Sequence, residues 1–395
     1  MENAPNDVVL SSLILNRKTV ILMKYRCNVC GAVFGTDETV CPVCRMGLEH
    51  FELIPDEEDA PVEAAPSAAP SRYVILGTGI AALSAAKEIR ALAPDARILM
   101  IGEEAVMPYQ RTALTKIPPR AAIGNDLALH GRDFYFENEI QLVSGVRVAA
   151  LDTSSKTVTL SDGSALSYDT CLYALGSHAF IPPIPGAHFD NVFTLRTVAD
   201  AEHMADTLKG ARSAVVIGGG VLGLEAAEAL KKSGLTHVTV LEGAPSPLSG
   251  RADGELAARL DRLLAEGGIR LLCGRTVEEI VGEEKTARGV RTEREWLPAD
   301  LILLSCGVRA NIEIAREAGL ACGRGVKVDA HMATDAPSVF ACGDCAEIDG
   351  VGCGLWTTAQ SMGLCAGRNA AGADVPYEPQ SVPTVLHLFG TTFSL

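Results

Sequence analysis

The chain has 395 residues, with 49 acidic against 34 basic side chains and a formal charge of −15. That length holds two or three domains, each able to bury a core, and the acidic balance argues against nucleic acid or an anionic membrane surface as a main partner. No apolar run has the length of a transmembrane helix. The N-terminus does not read as an export signal, because Glu2 and Asp7 precede its apolar stretch and Asn16-Arg17-Lys18 interrupts it. A cytoplasmic location is expected, with the twelve cysteines as thiols or metal ligands rather than disulfides.

Residues 1–23 carry no clear periodicity and are an N-terminal extension without assigned role; Met23 is a candidate start of translation. In residues 24–54, Cys27-Asn28-Val29-Cys30 and Cys41-Pro42-Val43-Cys44 form two CxxC pairs separated by ten residues. Four thiolates from two such knuckles close a tetrahedron on one metal ion, and zinc and iron both accept that set. About thirty residues cannot build a self-sufficient core, so the metal is expected to supply much of the folding free energy. The stretch KYRCNVCGAVF…CPVCRMGLEHFEL resembles the short rubredoxin-like domain of rubrerythrins, which implies iron and one-electron transfer. Arg45 departs from that pattern, standing where a glycine is usual. Residues 55–71, acidic and then rich in Pro, Ala and Ser, read as an extended linker.

Tyr73 to Leu76 is a short apolar run of the kind a buried parallel strand needs, followed at once by Gly77-Thr78-Gly79 and a helical segment from Ile80 to Arg90. In such a strand–turn–helix the first glycine makes the turn, and the second lets a pyrophosphate approach the helix N-terminus. Ala82 stands where a third glycine often does. Arg97 to Ile101 predicts the second strand, and Glu103 or Glu104 after it is placed to accept the hydroxyls of a ribose. Thr153 to Leu160 and Ser164 to Tyr168 predict antiparallel strands around an Asp162-Gly163 turn.

A second and fuller fingerprint follows. Strand Ala214 to Ile217 runs into Gly218-Gly219-Gly220-Val221-Leu222-Gly223 and a helix to Lys232. The next strand, Val238 to Leu241, ends at Glu242, an acid that favours a ribose with free hydroxyls over a 2′-phosphate, hence NADH over NADPH. Arg251 is the nearest following cation that could oppose this. Further on, Ser338 to Cys342 predicts a strand that delivers Gly343-Asp344, and Trp356 to Ala371 predicts a helix.

These motifs — GxGxxA, Pro108-Tyr109…Arg111…Leu114…Lys116, Ala174-Leu175-Gly176, GGGxxGxE and Gly343-Asp344 — together resemble the FAD-dependent pyridine nucleotide oxidoreductases. The branch they resemble includes NADH:rubredoxin reductases and the ferredoxin reductases of oxygenase systems. The resemblance implies an α/β fold with two Rossmann-like dinucleotide-binding domains, preceded by the small metal-stapled ribbon. Its parts would be 72–186 and 312–372 for FAD and 187–311 for NADH, with 373–395 as a remnant of a further domain. It implies that Gly77, Gly79, Ala82, Glu103 or Glu104, Arg111 and Asp344 hold FAD and that Gly218, Gly220, Gly223 and Glu242 hold NADH. Lys116 and Glu225 would meet beside the reacting rings. No cysteine lies between Gly102 and Lys116, where related disulfide reductases carry their redox pair, and Cys342-Gly343-Asp344-Cys345 falls on a turn committed to FAD, so dithiol chemistry is not expected. The function implied is an enzyme passing electrons from NADH through FAD to the rubredoxin-type iron of Cys27, Cys30, Cys41 and Cys44, and on to a redox acceptor protein. The sequence does not specify that acceptor; peroxide- or oxygen-reducing iron proteins are candidates by family association only. The alternative makes the ribbon a zinc-bound docking module.

Overall fold

A computed structural model describes residues 24–27, 33–35, 51–54 and 70–395, apart from 117, 120–122, 249–250 and 380–382. The chain divides into two compact units, Met1–Ala65 and Pro66–Leu395. In the first, Lys24–Cys27 is the central strand of an antiparallel sheet between Val33–Gly35 and Phe51–Ile54. Cys27 closes that strand opposite Phe51. Cys30, Cys41 and Cys44, and most of the linker, lie outside the described residues.

The second unit contains two five-stranded parallel sheets. The first has the order Val339–Ala341, Thr170–Tyr173, Arg72–Leu76, Arg97–Gly102, Ile140–Ser144. Its central strand is buried on both faces from Tyr73 to Leu76, as its continuous apolar run requires. The helix Ile80–Leu92 packs on this sheet beside the helix Trp356–Ala370. These two helices touch at backbone distance: a Cβ on Gly363 or Gly367 would overlap the carbonyl oxygens of Ala81 and Ala85. Glycine on one helix facing alanine on the other thus ties the C-terminal segment to the first strand–turn–helix.

The predicted antiparallel pair is a three-stranded meander, Val148–Asp152, Thr157–Leu160 and Ala165–Ser167. Its middle strand begins four residues later than the apolar pattern predicts. The Asp152 carboxylate accepts the N–H groups of Ser154 and Ser155, and Lys156 has φ +52°, which makes residues 153–156 a turn.

The second parallel sheet has the order Val192–Phe193, Leu301–Leu304, Ser213–Ile217, His237–Glu242, Ile269–Cys273. Its helix Val221–Lys232 follows the second glycine turn. The halves are joined by two chain segments running side by side, Ser177–Ala179 antiparallel to Val308–Ala310. The Tyr173 hydroxyl donates to the Asn311 carbonyl across this junction at 2.9 Å.

The C-terminal stretch contains a packed hairpin. Val385–Leu388 and Thr391–Ser394 form a hairpin around Phe389-Gly390, both at positive φ (46° and 76°). Leu386, Leu388 and Phe393 are buried in one core with Leu224, Ala227, Val240 and Leu264. The alternation in LHL and TFS carried this signal; without a Gly-first or Asn-Gly turn it did not stand out.

Candidate functional site

The two glycine turns have the same construction. Gly77 and Gly218 sit at φ +119° and +117°, and each donates its N–H to the adjacent strand at 2.7 Å, to Ile101 and Leu241 respectively. A Cβ on either would overlap a carbonyl oxygen of the neighbouring strand's end, that of Ala174 or of Ser305. Only glycine fits both the torsion and the space. Gly79 and Gly220 are the N-caps of the two following helices. Neither helix has a side-chain cap, and open space surrounds both glycines. The unpaired N–H groups of each first helical turn therefore face a site that an anion can enter. The third position differs. A Cβ on Gly223 would overlap the Gly218 carbonyl oxygen, whereas Ala82 is accommodated and fully buried.

The structure separates the two acids that follow the second strand. Glu104 accepts hydrogen bonds from the Tyr109 hydroxyl (2.8 Å), the Arg111 guanidinium (2.6 Å) and the Val198 N–H (3.3 Å). Glu103 is exposed at the mouth of the sheet. In the second sheet, Glu242 is nearly buried, and its carboxylate accepts the N–H groups of Gly219 (2.7 Å) and Ala244 (2.8 Å). Arg251 is exposed and donates to Thr384. The Arg275 backbone N–H donates to the Glu242 backbone carbonyl at 3.1 Å.

Arg111 lies over the Tyr109 ring, 4.7 Å from its centroid, and also donates to the carbonyl of Arg196 at 2.5 Å. Arg196 donates in turn to Asp344 (2.8 Å) and to the Ser177 hydroxyl (2.7 Å), which itself donates to Asp344 (2.8 Å). Arg111 and Asp344, far apart in sequence, thus belong to one network centred on Arg196. Sequence reasoning missed Arg196. The available signal was the Thr197…Asp200 capping box, which fixes the helix Val198–Leu208 just beyond it.

Lys116 and Glu225 are brought together across the two halves, Nζ to Oε1 at 3.8 Å. Glu225 is 2 % exposed and Lys116 38 %. The Thr115 hydroxyl donates to Glu225 Oε2 at 2.9 Å, and the His387 N–H to Oε1 at 3.3 Å. The carboxylate is buried and compensated, while the ammonium reaches outward.

The remaining thiols are of a different kind. Cys342 and Cys345 are fully buried, and Cys345 bonds the carbonyls of Tyr173 and Cys342. Burial pushes the Cys342 thiol well above its ordinary range and Cys345 up to about 12. Cys353 is also pushed up to about 12, by burial and then by the Asp344 carboxylate. Such thiols carry no thiolate at neutral pH and are poor nucleophiles.

Two uncapped helix N-termini behind two glycine turns, each with an acid at the edge of its sheet, fit two dinucleotides. This pairing of sites, with the Lys116–Glu225 contact between them, defines a flavin-dependent pyridine nucleotide oxidoreductase. The profile of the pyridine nucleotide-disulphide oxidoreductase family matches residues 71–363, and the chain belongs to that family. Within it, the chain is of the rubredoxin and ferredoxin reductase type. It is 33 % identical over 322 residues to nitrite reductase [NAD(P)H] of Bacillus subtilis, covering 81 % of this chain but only 40 % of that protein. The ferredoxin reductase component of chlorobenzene dioxygenase from Cupriavidus sp. (strain PS12) is 35 % identical over 276 residues, 70 % of this chain and 67 % of its own length. NADH-rubredoxin oxidoreductase of Clostridium acetobutylicum is 32 % identical over 324 residues, with 81 % and 80 % covered. The crystal structure of that organism's NADH:rubredoxin oxidoreductase superimposes with a TM-score of 0.71 at 29 % identity, covering 82 % of this chain and 81 % of the other. Among the described residues no helix is long and apolar enough to cross a membrane.

Proposed function

We propose that this protein takes hydride from NADH at the second half, passes the electrons through FAD held by the first half, and delivers them singly to a rubredoxin-type iron in residues 24–54. A redox acceptor protein is the onward partner. The Lys116–Glu225 contact carries the proposal, because it joins the half with one dinucleotide turn to the half with the other.

In this reading Gly77, Gly79 and the N-terminus of Ile80–Leu92 hold the FAD pyrophosphate. Glu103, rather than the already engaged Glu104, holds its ribose. Arg111, Arg196 and Asp344 form the wall facing FAD. Gly218, Gly220, Gly223 and Glu242 hold NADH. Bound FAD supplies the chemistry that accepts electrons in pairs and releases them one at a time. The protein's part is to aim Lys116, a cation beside rings that gain negative charge, and to exclude water around Glu225. The buried, high-pKa thiols favour a path without a dithiol step. The rubredoxin and ferredoxin partners of the relatives support a small one-electron protein acceptor, and the two CxxC pairs support an acceptor centre on the chain itself.

Metal analysis together with the visible spectrum tests this directly. About one iron per chain with ferric thiolate bands is expected; stoichiometric zinc in native protein would replace the electron path by a docking ribbon. Replacing Cys27 and Cys44 by Ser should remove the metal and onward transfer to a protein acceptor while leaving reduction of FAD by NADH intact. Unchanged transfer in that double variant would remove the metal from the path.

A further inference from the structure

The C-terminal hairpin belongs to neither glycine turn, yet its backbone reaches Glu225. In a hairpin closed by two residues, Leu388–Thr391 and Leu386–Phe393 are the hydrogen-bonded pairs, so His387, opposite Thr392, turns its N–H away from its own partner strand. That N–H ends on Glu225 Oε1. The direction is not free to drift, because Leu386 and Leu388 on either side are locked in the core. Glu225 Oε2 takes the Thr115 hydroxyl, so among the described residues the hairpin supplies one of the two hydrogen bonds that a nearly inaccessible carboxylate receives. A buried carboxylate that loses a donor is left incompletely compensated, at a cost set by its desolvation. Lys116 leans on the same oxygen that His387 holds.

We propose that the hairpin Val385–Ser394 is a positioning element of the hydride-transfer site: the His387 N–H holds Glu225 Oε1 and, through it, sets where Lys116 points. This rests on the reading of Lys116 and Glu225 as the pair beside the reacting rings. The imidazole is not part of the argument; it is exposed and contacts Thr392.

Amide hydrogen exchange in the FAD-loaded protein tests the contact without reference to activity. The His387 amide is expected to be protected, and Glu225→Leu to speed its exchange about ten-fold or more while Leu388, held in the hairpin ladder, is unchanged. Equal exchange at His387 with and without the carboxylate overturns the proposal. Rapid mixing with NADH tests the consequence. His387→Ala and His387→Pro both remove the imidazole, and only the second removes the N–H. Hydride transfer at saturating NADH should be about ten-fold slower in the proline variant than in the alanine variant, with the same Kd for NADH. Equal rates overturn the positioning role. If the proline variant does not retain FAD, the exchange comparison decides alone. Lys116→Met and Glu225→Leu serve as the reference: if neither slows hydride transfer, the reading of the pair fails; if both do and the His387 variants match each other, only the hairpin proposal fails.

Discussion

The two glycine turns share a backbone and differ in what fills the space above it. In the second turn residue 219 is glycine, and the Glu242 side chain lies against it: a Cβ there would meet Glu242. In the first turn Thr78 stands at that place and Gly102 lies opposite, where a Cβ would meet the threonine hydroxyl. One fold puts the bulk on the strand end and the other on the turn, and the acid proposed for the first ribose, Glu103, stands a residue later than Glu242 does in the second. The difference teaches that two turns of one backbone geometry can be filled in opposite ways by a single exchange of side chains above them.

The hardest test of that comparison is to damage each turn separately. Gly77→Ala and Gly218→Ala each force a side chain into positive φ, worth about 1 kcal/mol, and into a neighbouring carbonyl, worth about 1–3 kcal/mol more. Gly77→Ala should emerge without its yellow colour. Gly218→Ala should keep FAD and lose reduction by NADH. Absorption spectra and rapid mixing would read both, and flavin loss confined to Gly218→Ala would reverse the assignment of the halves.

A second contrast lies in the thiols. The first half buries Cys171, Cys342 and Cys345 completely and leaves Cys322 and Cys353 partly exposed, as Cys273 and Cys306 are in the second. Burial raises the folded-state pKa of the first three above the ordinary thiol value of 9.0. The fold therefore favours their protonated form: their contribution is complete below about pH 9 and is lost above it, as thiols ionise in the unfolded chain alone. The loss is about 1.4 kcal/mol for each thiol per pH unit. Thermal melting should be flat to about pH 8.5 and fall steeply toward pH 10, and less steeply in Cys345→Ala. A melting curve indifferent to alkali would show that these thiols are more accessible than their burial implies.

The smallest effect concerns the acid itself. Glu242→Ala should narrow the preference for NADH over NADPH by about ten-fold. Steady-state kcat/KM with both donors measures this. An unmodified protein equally fast with NADPH would contradict the role given to Glu242.

Both turns were legible because the apolar strand, the glycine turn and the helix start that mark each lie within a dozen residues. The close approach of Gly77 to Ala174 and of Gly218 to Ser305 is tertiary and only explains afterwards why glycine stands there. Which of Glu103 and Glu104 is engaged by other side chains was not legible, since it depends on Tyr109 and Arg111 folding back onto Glu104. The Lys116–Glu225 pair came only from resemblance: neither residue's own surroundings mark it, and the contact spans the two halves.

Sequence alone determined two parallel-sheet folds, each opening on a glycine turn, the spacing of four N-terminal cysteines, and an acid at the end of the second fold's strand. These depend on neighbours along the chain, where apolar period and backbone torsion act directly. Tertiary structure alone decided that Arg196 ties Arg111 to Asp344 and that the last hairpin reaches Glu225. Those contacts join residues from 85 to 162 positions apart. A hydrogen bond of that reach is set by the packing of whole sheets and helices, which no local pattern records.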